Sequence, residues 1–151
     1  MTENATQETA KGQRGLGFMG RVRKDPAFAA FWILRVGFVA LPIWMGLDKF
    51  FDGLTIWPHY LAPIATDLLP MSAQSIMYVV GVVEVVAGIA VALKPRYAAY
   101  VVALWLAGII VNLLLWSGWY DVALRDSGLL VAALALAQLA RAYDAPVRQN
   151  R

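Results

Sequence analysis

The sequence predicts an all-α integral membrane protein, a four-helix bundle with both termini in the cytoplasm, and three observations carry the prediction. The 151-residue chain is 60% apolar and only 15% charged, with a mean hydropathy of +0.60, too apolar for an ordinary soluble domain. Four long apolar runs alternate with short polar connections, and four spans of about 20 residues use roughly 80 residues. That leaves tails and loops but no room for a transporter of two repeated halves. The third observation is where the basic residues fall. Five Lys or Arg precede the first span, two lie in the 94–96 turn and three follow from Arg141 onward, against none in the two opposite loops. By the positive-inside rule the basic side is cytoplasmic.

Residues 1–26 read as a basic cytoplasmic tail and not as a cleavable signal, because no long apolar run occurs in the first twenty positions. Its stretch Gly15 to Lys24 interleaves Leu16, Phe18, Met19 and Val22 with basic residues, a pattern suited to an anionic leaflet or a partner as well as to a disordered tail. The transmembrane domain covers 27–142. Its first span, about 27–51, opens after Asp25-Pro26, a helix start with proline in the first turn. Pro42 removes a backbone hydrogen bond inside that span and predicts a kink.

Residues 52–74 hold Pro58, Pro63 and Pro70 without Lys or Arg and read as an outer loop, with a short interfacial helix between His59 and Leu69. The second span, about 75–93, is capped by Ser72. Lys94-Pro95-Arg96 forms a tight basic turn, the third span covers about 97–116, and the fourth about 122–142 follows the turn at 117–121. Residues 143–151 are a second cytoplasmic tail. Aromatics mark both boundaries: Phe28, Phe31, Trp32, Tyr97, Tyr100 and Tyr143 on the inner side, Phe50, Phe51, Trp57, Trp116, Trp119 and Tyr120 on the outer. These features place the chain in the plasma membrane as a multi-pass protein with the lipid bilayer as its main partner.

Several activities are excluded by composition. The chain has no cysteine, which removes disulfides, thiol catalysis, iron–sulfur clusters and thiolate metal sites. A single histidine, His59, argues against a self-contained haem or zinc site. The net charge of +3 follows membrane topology, so no nucleic-acid partner is implied.

Chemistry must come from ionisable groups inside the spans, each of which costs a few kcal/mol at the bilayer centre. These are Arg35, Asp48, Lys49, Glu84, Arg125 and Asp126. Counting from Lys94 at 1.5 Å per residue, Glu84 lies roughly 15 Å deep. It shares a face with Gly81 and Gly88, a small-residue face that another helix can approach closely. Arg35, about 12 Å above Ala27 by the same rise, is the expected partner of Glu84. A second group, Asp48, Lys49, Asn112, Arg125 and Asp126, falls near the outer surface and suggests a small polar pocket walled by Trp44, Trp116 and Trp119. Lys49 and Arg125 would there form a cationic pair for an anionic or carbonyl-bearing ligand such as a quinone headgroup. No catalytic residue and no metal-ligand set is expected.

Arg35-Val-Gly37, Gly46-Leu-Asp-Lys49-Phe50, Gly81-x-x-Glu84-x-x-x-Gly88 and Leu93-Lys-Pro95-Arg96 together resemble the DoxX-like family of small four-helix membrane proteins over residues 28–142. The resemblance implies a four-helix bundle associated with redox systems: a quinone-reducing thiosulfate oxidoreductase subunit, and membrane partners of sulfur-transfer and superoxide-handling enzymes. It places the family's helix-one Arg and Lys on Arg35 and Lys49 and its helix-two Glu on Glu84. The missing cysteines speak against a sulfur relay within this chain.

Three functional readings fit. The chain is an accessory or anchor subunit of a quinone-linked membrane redox complex, not catalytic on its own; or a homo-oligomeric small-molecule or ion permease with Glu84 as the protonatable group; or a structural or assembly factor whose polar residues only tie helices together.

Overall fold

The structure, a computed structural model, describes residues 17–116 and 118–144. Lys11, Arg14, Gly15 and Leu16 of the first tail, and Arg148 and Arg151 of the second, lie outside the described residues. Among those described, the chain is all-helical, and four helices are long and apolar enough to cross a membrane. The course is α1 (Phe18–Lys24), α2 (Pro26–Asp48), a 3₁₀ turn (Trp57–Tyr60), α3 (Pro63–Leu68), α4 (Ala73–Leu93), α5 (Pro95–Leu115) and α6 (Tyr120–Tyr143).

Helix starts follow local chemistry. Asp25 caps α2 by accepting a hydrogen bond from the Phe28 N–H at 3.0 Å, with Pro26 at the first helical position. Ser72 caps α4 in the same way, accepting from the Ser75 N–H at 3.2 Å. Pro95 opens α5 directly after Lys94, two residues before the expected start, because proline's missing N–H is no loss in a first turn.

Helix α2 continues unbroken across Pro42 and ends at Asp48, three residues short of the expected Phe51. The backbone leaves the helix through a tight turn in which Asp52 adopts a left-handed φ of 50°. The Asp48 carboxylate stabilises that exit by accepting from the Leu54 N–H at 3.0 Å and the Trp57 indole N–H at 2.8 Å. The short helix expected between His59 and Leu69 appears as two pieces, the 3₁₀ turn and α3, separated by Leu61-Ala62.

Helices α2 and α4 form one closely packed pair and α5 and α6 another, with α2 against α6 and α4 against α5 joining the two. At the end carrying the Lys94–Arg96 turn, called the basic end below, the interior is apolar. Phe31 and Phe38 of α2 meet Val91 of α4, Ala98, Ala99, Val102 and Ala103 of α5, and Ala133, Leu136, Ala137 and Ala140 of α6. The facing alanines let α5 and α6 approach closely, the usual device where lipid supplies no hydrophobic drive for helix association. Tyr143 closes the ring: its ring packs on Phe28 and Phe31, and its hydroxyl donates to the Asp25 carboxylate at 3.0 Å. The outer faces are bare hydrocarbon, with Leu104 and Leu124 each 75% exposed. Surface of that kind is stable only against lipid or another apolar partner.

Candidate functional site: a buried Lys49–Glu84 pair

The register of α2 against α4 determines which charges meet. Three facing pairs fix it. A Cβ on Gly46 would stand 2.5 Å from the Gly81 carbonyl oxygen, and one on Gly88 would stand 2.9 Å from that of Val39. Nearer the basic end, the Arg35 guanidinium donates to the Ala92 carbonyl. The helices therefore run antiparallel with backbones almost in contact at Gly46 and Gly81.

Lys49 lies three residues after Gly46, and Glu84 three residues after Gly81. In antiparallel helices these positions fall on opposite sides of the glycine contact, separated axially by about 9 Å. Helical side chains slant toward their own N-terminus, so both slant back across the glycines and toward each other. A Cβ on Gly81 would crowd the Lys49 Cβ at 3.2 Å, and one on Gly46 the Glu84 Cβ at 3.1 Å. The stems thus pass through space that only glycine leaves open. They end in an ion pair, Lys49 Nζ donating to Glu84 Oε2 at 2.6 Å, with side-chain exposures of 4% and 13%.

The expected Arg35–Glu84 pair is not formed. Arg35 stands opposite Ala92, eight residues or about 12 Å along α4 from Glu84, and its slant carries it away from Glu84. It instead caps the end of α4 through the Ala92 carbonyl. Its guanidinium also lies 5.0 Å from the centroid of the Trp32 ring.

The outer group serves the loop. Lys49 Nζ sits 3.7 Å from the centroid of the Trp57 ring, a cation–π contact made possible by the Asp48–Trp57 hydrogen bond. Asn112 of α5 spends both ends of its amide on the same loop, donating to the Tyr60 carbonyl at 2.7 Å and accepting from the Ala62 N–H at 2.9 Å. The Tyr60 ring in turn packs on Trp119 with centroids 4.2 Å apart. Residues 49–62 are thereby held down over the bundle, with Trp57 covering the lysine.

Arg125 does not join Lys49 as a cationic pair. It is 72% exposed and bonded within its own helix to Asp121 at 2.6 Å, while Lys49 is buried and already partnered. Trp44 does not wall a pocket either, since it is 67% exposed. Asp126 is half-buried on α6. His59 is exposed on the 3₁₀ turn of the 49–62 loop. Among the described residues no cluster of His, Asp or Glu is arranged to hold a metal ion.

Two roles escaped the sequence reading: Asp48 as the clamp of the loop, and Trp57 as the cover of Lys49. The pair itself had a legible signal, the identical spacing in Gly46-x-x-Lys49 and Gly81-x-x-Glu84. Comparison with protein-family models, curated proteins and solved structures finds no match for this chain.

Proposed function

We propose that this chain is a small, non-catalytic accessory or anchor subunit of a membrane redox complex, multi-pass in the plasma membrane with both termini cytoplasmic. The observation supporting it is how the interior polar groups are used. Lys49 is committed to Glu84 and Trp57, Asp48 to the loop, Asn112 to Tyr60 and Ala62, and Arg35 to the end of α4. Such bonds fix one packing of helices that lipid alone would not align. The link to redox chemistry comes from the DoxX-like resemblance of the Arg35, Lys49 and Glu84 motifs. Any quinone is then handled with a partner subunit, because Lys49 and Arg125 do not converge on a headgroup.

The test is a tagged isolation from native membranes in mild detergent, with mass spectrometry and an optical spectrum of the eluate. Stoichiometric recovery with flavin-, haem- or quinone-linked subunits is expected. Recovery alone or as a homo-oligomer would contradict it.

One observation favours a second reading, the oligomeric permease. Glu84 sits near the middle of α4, paired with Lys49 at 2.6 Å, and a carboxylate at that position resembles a proton site in the membrane. Proteoliposome uptake abolished by Glu84→Gln would support it, and uptake unaffected by that change would reject Glu84 as the proton carrier.

A further inference from the structure

Among the described residues, the basic end of the bundle carries charge without a neutralising partner. Arg21, Arg23 and Lys24 of α1, Lys94 and Arg96 of the turn and Arg141 of α6 lie there, and none of the six forms an ion pair among the described residues. The two described carboxylates at this end do not balance them. Asp25 is engaged by the Phe28 N–H and the Tyr143 hydroxyl, and Asp144 stands alone against the remaining charge.

Helix α1 gives this charge a defined position. Phe18 packs edge-on against Phe28 and Trp32, with centroids 5.8 and 5.4 Å apart, and the Arg21 guanidinium lies 4.2 Å from the centroid of the Phe28 ring. The helix is therefore held against the first turns of α2 at the end of the membrane-spanning segment. It still leaves Phe18 52% and Met19 64% exposed, beside exposed Arg23 and Lys24. Apolar side chains next to unpaired cations, at the level where a span ends, match the boundary between acyl chains and headgroups. Each such cation is drawn to the negative surface potential of an anionic leaflet.

We propose that α1 and the Lys94–Arg96 turn form a docking surface for anionic phospholipid, with Phe18 and Met19 entering the acyl region and the cations taking the headgroup phosphates. This goes beyond the subunit reading and does not depend on it. An uncharged or zwitterionic lipid lacks the net charge that the six cations complement.

The experiment is native mass spectrometry of the full chain in mild detergent, titrated with phosphatidylglycerol or phosphatidylcholine. Phosphatidylglycerol adducts are expected to dominate. In R21Q/R23Q/K24Q the preference should fall about tenfold or more, while R125Q, which removes a cation at the opposite end, leaves it unchanged. Circular dichroism checks that the variants fold, and K94Q/R96Q carries the same test should the triple variant not do so. Equal binding of the two lipids, or a preference that survives in the folded variants, would overturn the proposal, and an acidic protein partner would then be the alternative for this surface.

Discussion

At the scale of single residues, the fate of a charge in this bundle is decided by helix direction more than by depth. Position along the helices alone predicts that Arg35 and Glu84 meet, since both lie well inside them. Lys49, nominally at the end of its helix, reaches Glu84 because both side chains slant back over the glycines. Arg35 and Glu84 share no partner, so Arg35→Leu and Glu84→Leu should destabilise the protein additively in detergent, within roughly 0.5 kcal/mol. Arg35→Leu alone should cost about 1.5–3 kcal/mol through its charged hydrogen bond to Ala92. A large coupling between the two changes, measured by denaturant titration, would restore the pairing first expected from sequence. Residue types and their positions along the helices were legible in the sequence. The partner was not, because the slant matters only once the register is known.

At the scale of elements, the α2–α4 contact depends on backbone approach. A Cβ at Gly46 or Gly81 meets a carbonyl oxygen at 2.5 or 2.6 Å, and a rigid backbone cannot yield as a side chain does. Gly46→Ala or Gly81→Ala should therefore cost about 1–3 kcal/mol and loosen the Lys49–Glu84 pair. Gly108 and Gly128 have nothing within 4 Å, so alanine there should be neutral or stabilise by less than about 1 kcal/mol. Thermal unfolding of the four variants checks the contrast, and equal effects would show that glycine flexibility matters here and not contact.

The loop over the lysine is a second element-level device. Asn112→Leu leaves the Tyr60 carbonyl and Ala62 N–H without their partner, and Asp48→Asn replaces the acceptor that holds Trp57. Both should speed protease cleavage between residues 50 and 62 severalfold, whereas Arg125→Gln, outside the cap, should not. The long apolar helices, the helix start at Asp25-Pro26 and the Ser72 cap could be read from the sequence because they rest on local chemistry. The loop could not, since Asn112 reaches it from fifty residues away.

At the scale of the whole molecule, two closely packed helix pairs are joined by an apolar interior at the basic end and by polar contacts at the other. The four-span count was legible because hydropathy and length both bear on it. The bundle's neighbour relations were not, since helices apolar on every side carry little periodic signal of which face is inward. The proposed orientation is directly testable, because a chain without cysteine accepts single-cysteine probes cleanly. Cysteine in place of His59 should react with a membrane-impermeant maleimide on intact cells, and cysteine in place of Arg96 only after permeabilisation. The reverse pattern would invert the topology.

Buried charges that serve as ties between helices must be energetically coupled, and a double-mutant cycle on Lys49 and Glu84 measures that coupling most directly. Lys49→Met and Glu84→Leu should each cost about 3–5 kcal/mol, because each leaves a buried charge without its partner. The double change, which removes both charges, should recover most of that loss and still assemble with whatever partner the wild type retains. Additive losses in the cycle, or a stable double variant that has lost its partner, would contradict a purely structural role and make the pair a functional site.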